Sequence, residues 1–173
     1  KERTISLFTF SKTYAMTGWR IGYIVSNKEI IDEMAKVQEY YVSCASAVSQ
    51  RAALAALEGP QDCIKEMVEE YERRRNFFHR ELNKIDKISC IKPKGTFYVF
   101  PNISKTGLRS QEVANLLLEK GKVVTSPGIA FGKHGDNFLR LSFATAMNQL
   151  REAVKRIGAT LEEISYTRRK CLK

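Results

Sequence analysis

The chain has 173 residues, of which 43% are hydrophobic and 28% charged. That is the balance of a folded domain or slightly more, which excludes wholesale disorder, and no run approaches the ~20 apolar residues that a membrane helix needs. The net charge of +10 raises a nucleic-acid reading, but ten basic and four acidic groups fall in residues 121–173, where Arg168, Arg169 and Lys170 make a short basic tail.

Residues 5–10 and 20–25 are short runs rich in β-branched and aromatic side chains and read as strands, joined by a loop of small and polar residues. Residues 28–41 place Ile30, Ile31, Met34, Val37 and Tyr41 at helical spacing. An alanine-rich helix follows over 46–57, stopped by Gly59-Pro60. Residues 62–85 read as one long helix, in which Arg73-Arg74-Arg75 follows Glu69, Glu70 and Glu72 at the spacing of a salt-bridged face. That spacing favours a solvated surface over a nucleic-acid patch. Thereafter the elements shorten: strands over 88–91 and 96–100, a helix over 110–119 with Ser110 as its cap, strands over 123–125 and 138–143, and a last helix over 148–164. Alternating strands and helices predict an α/β layer structure.

Cys44, Cys63, Cys90 and Cys171 lack the close spacing of a zinc knuckle, and His79 and His134 are far from them in sequence, so no metal site is expected. The thiols read as reduced, as in a cytoplasmic protein.

The informative segment is residues 11–23, SKTYAMTGWRIGY. Lys12 follows a strand-like run at a strand-to-loop corner, and Arg20 lies at the start of the next strand. Thr9, Ser11, Thr13, Tyr14 and Thr17 supply hydroxyls nearby. A guanidinium gives a phosphate a bidentate grip and hydroxyls add hydrogen bonds, although from composition alone a surface lysine and a paired arginine are the better reading.

The string Ser11-Lys12 with Met16-Thr17-Gly18-Trp19-Arg20-Ile21-Gly22-Tyr23 resembles the cofactor-lysine motif of fold-type I pyridoxal-phosphate aminotransferases, class I/II, and especially the aspartate aminotransferase branch. The resemblance continues in Lys94-Gly95-Thr96-Phe97-Tyr98 with Phe100-Pro101, in Ser126-Pro127-Gly128 with Phe131-Gly132, and in Leu139-Arg140-Leu141-Ser142-Phe143-Ala144. The segment after about Tyr166 matches no part of the family pattern. The resemblance implies that Lys12 forms the Schiff base with pyridoxal 5'-phosphate and that Arg20 holds the phosphate with help from Ser11 and Thr9. It implies that Arg140 clamps the substrate α-carboxylate. The chemistry agrees. A neutral amine condenses with an aldehyde, a permanently charged guanidinium suits a phosphate dianion, and a planar fork suits a carboxylate.

The resemblance further implies a cytoplasmic, homodimeric aminotransferase that moves an amino group from an amino acid, aspartate-like or of broad specificity, to a 2-oxo acid. Neither nucleic acid nor membrane has a part in it. Residues 1–60 would be the end of the large cofactor-binding domain, 61–85 an interdomain helix, 86–166 the small C-terminal α/β domain and 167–173 a basic tail. The family's pyridine-facing aspartate, ring-stacking aromatic, and ring-oxygen asparagine and tyrosine all precede the lysine. The chain is therefore expected to be an incomplete C-terminal portion, inactive alone. The alternatives are another fold-type I enzyme (lyase, decarboxylase or synthase), a basic nucleic-acid-binding module, and a folded fragment without catalysis.

Overall fold

The computed structural model describes residues 3–171, with side chains described through Glu163. The basic tail Arg168-Arg169-Lys170 and the side chain of Ile164 therefore lie outside the described side chains. The chain divides into two compact units, Lys1–Met67 and Val68–Lys173.

The first unit opens with β1 (Ser6–Thr9), a single helical turn α1 (Phe10–Thr13), a 3-10 turn over Thr17–Trp19, and β2 (Gly22–Val25). β1 and β2 pair antiparallel with Ser6 opposite Val25 and Thr9 opposite Gly22. The Phe8 ring stacks on Tyr23 across the pair, with centroids 4.9 Å apart. Gly22 has to be glycine, because a Cβ there would stand 2.5 Å from the Phe8 carbonyl oxygen. The strands are shorter than the sequence predicts, and the segment between them is not a plain loop. Thr9 is extended and its hydroxyl accepts from the Ser11 N–H at 3.1 Å, so it caps a helical turn and ends β1 before Phe10. At the other end Arg20 takes a left-handed conformation, φ 51°, which delays β2 to Gly22.

α2 (Lys28–Val42) is capped by Asn27, whose Oδ1 accepts from the Ile30 N–H at 3.0 Å. α3 (Ala47–Glu58) follows. Phe10, Met16 and Ala53 form a small core, with Tyr14, Ile21, Ala52 and Ala56 packed against it.

The division between units falls inside α4 (Asp62–Leu82). This helix stops three residues earlier than its periodicity predicts. Asn83 Nδ2 donates to the His79 carbonyl (2.9 Å) and the Cys90 carbonyl (3.0 Å), and its Oδ1 accepts from the Cys90 N–H (2.9 Å), which draws the next segment across the helix end. The backbone N–H groups of Lys84 and Ile85 then bond three residues back instead of four. On the exposed flank Glu70 pairs with Arg73 and Arg74, and Glu72 with Arg75, the salt-bridged face the spacing predicts.

The second unit holds β3 (Tyr98–Val99), α5 (Ser110–Glu119), β4 (Ser126–Pro127), β5 (Leu139–Ser142) and α6 (Met147–Cys171). The sheet order is β3-β5-β4, with β5 central and antiparallel to both neighbours. Leu139 and Leu141 are buried, and with Phe143 they meet Phe78 and Leu82 of α4, Leu117 of α5, and Ile157 and Leu161 of α6 in one core. α6 is longer than predicted, running beyond residue 164 to Cys171.

Three sequence expectations change here. Residues 88–91 form no strand, only the isolated bridge Ser89 to Asn102. Residues 123–125 are not a strand either: the Val123 N–H turns back to the Leu117 carbonyl (2.9 Å), Lys122 has φ 54°, and pairing begins at Ser126. Ser110 is not the cap of α5. Arg109 is, and its N–H donates to Glu112 Oε2 at 2.8 Å. Ser110 is instead fully buried as the first helical residue.

Candidate functional site

The sequence singles out five residues, and the structure places four of them at one end of the β1–β2 pair. The Thr9–Gly22 pairing and the Phe10 N–H bond to the Ile21 carbonyl (3.3 Å) bring the chain entering Lys12 beside the chain leaving Arg20. Thr9 Oγ1 donates to Ser11 Oγ at 3.0 Å, so the two hydroxyls are adjacent. Lys12 is exposed inside α1 rather than on a loop, because the Thr9 cap winds the chain immediately before it. The Arg20 guanidinium is exposed and donates to the Thr17 carbonyl at 2.7 Å, which ties it to its own turn. That turn is fastened from beneath by Ser49, whose hydroxyl donates to the Trp19 carbonyl at 2.7 Å. The donor set is an amine, a guanidinium and two hydroxyls, and it fits a small phosphorylated aldehyde: one group to condense with the carbonyl carbon and three to hold the phosphate.

The fifth residue, Arg140, belongs to the second unit. β5 alternates, so Leu139 and Leu141 enter the core and Arg140 stands on the opposite face. Ser126 is its direct cross-strand partner and accepts from Arg140 Nη2 at 3.2 Å. Tyr98 lies diagonally across on β3, its ring centroid 4.4 Å from the guanidinium carbon. Phe131, from the 3-10 turn Gly128–Phe131, places its ring 4.8 Å from the same carbon. Phe131 is itself set edge-on against Phe100, which stacks on Phe138 at 5.1 Å. Aromatic rings on the guanidinium restrain its rotation while leaving its charge uncancelled. Among the described residues no carboxylate forms an ion pair with Arg140. The arrangement suits a planar anion approaching the guanidinium edge.

Tyr98, Ser126 and Phe131 lie inside the motifs that carry the resemblance, but their place around Arg140 is not among the expectations drawn from the sequence. The signal was available in the pairing: once β5 is central, the residues flanking Arg140 come from the strands on either side. Phe131 carries no such signal, because its reach depends on the turn after β4. Among the described residues no cluster of three or more His, Cys, Asp or Glu side chains converges as a metal site, and no helix is long and apolar enough to cross a membrane.

The family model for aminotransferase class I and II matches residues 1–157. The chain is 43% identical over 164 residues to aromatic-amino-acid aminotransferase 2 of Thermococcus litoralis, covering 94% of this chain and 42% of that protein. It is 44% identical over 168 residues to aspartate aminotransferase of Pyrococcus abyssi, covering 96% and 43%. Among solved structures, an aromatic aminotransferase from Pyrococcus horikoshii superposes with a TM-score of 0.90 at 43% identity, over 94% of this chain and 44% of that one. Aspartate aminotransferase from Rhizobium meliloti gives 0.89 at 40% identity, over 94% and 42%. The chain thus spans a little over two fifths of the length of the relatives it matches. With the motif, the α/β fold and both basic sites falling inside the matched residues, the chain belongs to the aminotransferase class I and II family.

Proposed function

We propose that this chain works as the C-terminal portion of a pyridoxal-phosphate-dependent aminotransferase that moves an amino group from an amino acid, aspartate-like or of broad specificity, to a 2-oxo acid. The observation that carries the reading is the grouping of Lys12, Arg20, Ser11 and Thr9 at one end of the β1–β2 pair, within a chain of this family. In this reading residues 1–60 are the end of the large cofactor-binding domain, 61–85 the interdomain helix, within which the two compact units divide, and 86–166 the small domain.

When bound, the cofactor supplies an electron sink that makes the α-hydrogen of the amino acid acidic. Lys12 holds the cofactor covalently through its amine and, once released from it, moves the proton at the α-carbon. Arg20 binds the phosphate with a charge that persists at any physiological pH, and the Ser11 and Thr9 hydroxyls contribute hydrogen bonds. Arg140 orients the substrate by a bidentate grip on its α-carboxylate, its remaining edge left available by Ser126, Tyr98 and Phe131. A homodimer is the assembly that the family resemblance supports. A cytoplasmic location fits the free thiols of Cys44, Cys63 and Cys90. No nucleic-acid role is needed, because Arg73, Arg74 and Arg75 are engaged by Glu70 and Glu72.

The test is borohydride reduction of the cofactor-loaded full-length enzyme followed by peptide mapping. The cofactor is expected on Lys12, and Lys12→Ala is expected to abolish turnover. A label on another lysine overturns the assignment.

A further inference from the structure

One buried polar group has no place in the chemistry above. Ser110 is fully buried, and both its backbone N–H and its hydroxyl are spent on one loop. Its hydroxyl donates to Asp136 Oδ1 at 2.8 Å and its N–H reaches the same oxygen at 3.1 Å. Its N–H also bonds the Asp136 carbonyl at 2.9 Å. The hydroxyl oxygen in turn accepts from the Ile129 N–H at 3.2 Å. Ile129 belongs to the same 3-10 turn as Phe131, the ring that covers Arg140.

The turn has few other freedoms. Gly128 donates to the Phe138 carbonyl at 2.9 Å, and Gly135 to the Gly132 carbonyl at 2.8 Å. Gly128 and Gly135 pass so closely that neither has room for a Cβ against the other's backbone. The Phe131 end is held by the Phe100 ring, by the Gly132 N–H on the Ile129 carbonyl at 3.0 Å, and, from outside the turn, by the bond from Ile129 to Ser110, with Gly132 at φ 115° allowing the chain to leave it.

We propose that Ser110 and Asp136 are positioning residues for the substrate-carboxylate clamp: they hold the Gly128–Phe131 turn so that Phe131 orients the Arg140 guanidinium toward the carboxylate. The inference rests on the reading of Arg140 given above. Ser110 touches neither substrate nor cofactor; it acts through Ile129, Phe131 and then Arg140. An arginine whose rotation is already restrained loses less freedom on binding, so loosening the turn weakens carboxylate binding and leaves the cofactor grip in the other unit alone. Asp136 acts as an acceptor, since both of its side-chain bonds come from Ser110 donors. Asparagine preserves that acceptor and alanine removes it.

The experiment uses the cofactor-loaded full-length enzyme and reads succinate binding by calorimetry, succinate being a carboxylate with no amine and hence unreactive. It also reads KM and kcat for the amino acid and the affinity for pyridoxal phosphate. Ser110→Ala and Asp136→Ala are each expected to weaken succinate binding and raise KM by about tenfold, the scale of one lost positioning contact, with cofactor affinity and kcat much less changed. Asp136→Asn is expected to bind succinate within about twofold of the parent, because the acceptor is kept. Phe131→Leu should reproduce the loss, and adding Ser110→Ala to it should cost little more, since both changes act on one element. Full additivity of the two, a loss of cofactor affinity equal to the loss of succinate, or Asp136→Asn as poor as Asp136→Ala overturns the proposal. Arg140→Lys separates the two levels. If it weakens succinate while Ser110→Ala does not, the positioning role alone is wrong. If Arg140→Lys leaves succinate binding intact, the clamp reading fails and this inference fails with it.

Discussion

The two units hold their sites by different means. Around Arg140, fifteen buried apolar side chains fix a three-stranded sheet, and the arginine stands on the far face of a strand whose alternate residues are core. Around Lys12 and Arg20, three apolar residues are buried among the described ones, and position comes from local bonds: the Thr9 cap, the Arg20 tie to Thr17, and the Ser49 bond to Trp19. Large apolar side chains of the first unit stand open, Tyr40 at 94% and Tyr41 at 85% exposure. Fully burying one Leu or Phe is worth roughly 1.5–3 kcal/mol, so the two units differ greatly in what holds them folded. The lesson is that one basic site can draw its precision from a packed core, whereas another, built on caps and turns, depends on what else covers it.

Thiol reactivity offers the largest contrast. Cys44 and Cys63 are exposed in the first unit, while Cys90 is buried in the second and burial pushes its thiol up to about 11. The neutral thiol is thus the folded form, and the stability tied to it is present below the thiol's ordinary range and lost as pH rises through about 11. Iodoacetamide at mildly alkaline pH is expected to modify Cys44 and Cys63 at the rate of a small thiol, and Cys90 slower by on the order of a thousandfold or more, because it reacts only on opening. Equal rates at Cys44 and Cys90 would end the comparison.

Core truncation comes next. Phe78→Ala is expected to cost ~3–5 kcal/mol in denaturant unfolding, since its site is enclosed by α5, α6 and β5 neighbours and a cavity persists there. Phe10→Ala, buried among far fewer partners, should cost less than about 2 kcal/mol because its surroundings can close over the gap. A cost for Phe10 matching that of Phe78 would show the first unit to be as firmly packed as the second.

Ligand affinities sharpen the same division. Arg20→Ala is expected to weaken pyridoxal-phosphate binding by ~1.5–3 kcal/mol, the worth of a charge-assisted group, and to leave succinate binding nearly unchanged. Titrations of both ligands check this. Equal losses of the two would mean that Arg20 serves the carboxylate as well as the phosphate.

How much of this was legible beforehand follows the same line. α2 and α4 fall close to where their apolar spacing puts them, α3 close to where its alanines and Gly59-Pro60 put it, and α5 close to where Ser110 starts it. The motif around Lys12 pointed to the family, since Ser11-Lys12 followed at fixed spacing by the run Met16 to Tyr23 constrains far more than composition does. Boundaries were less legible. β1 and β2 lost residues to a side-chain cap at Thr9 and a left-handed Arg20, neither of which has an apolar period to announce it. Residues 123–125 look like a strand because Val and Thr favour one, but the backbone there folds back on the end of α5. Ser110 looked like a cap because serine favours that place, and its true partner, Asp136, is 26 residues away. The surroundings of Arg140 depended on strand order, which a single sequence does not display.

The smallest effect belongs to the salt-bridged flank of α4, and it tests whether that helix acts with the second unit. Glu70 lies past the division and accepts from Arg73 at 2.8 Å and Arg74 at 2.7 Å. The bond from Arg73 first, then that from Arg74, holds its carboxyl down to about 2, well below its ordinary 4.5. A carboxyl lowered on folding adds stability above its unfolded value and loses that stability as pH falls through its folded one. Glu70→Gln should therefore lower the melting temperature slightly at pH 7, with the difference from the parent shrinking below 4.5 and vanishing near 2. The pairs are solvent-facing, so about 0.5 M salt should erase most of the difference at neutral pH as well. Because Phe78 and Leu82 anchor the same helix in the larger core, the change should speed Cys90 labelling and leave Cys44 and Cys63 as they were. Faster labelling of Cys63 alone would show that the flank at Glu70 steadies the first turn of α4, and that the helix works with the first unit.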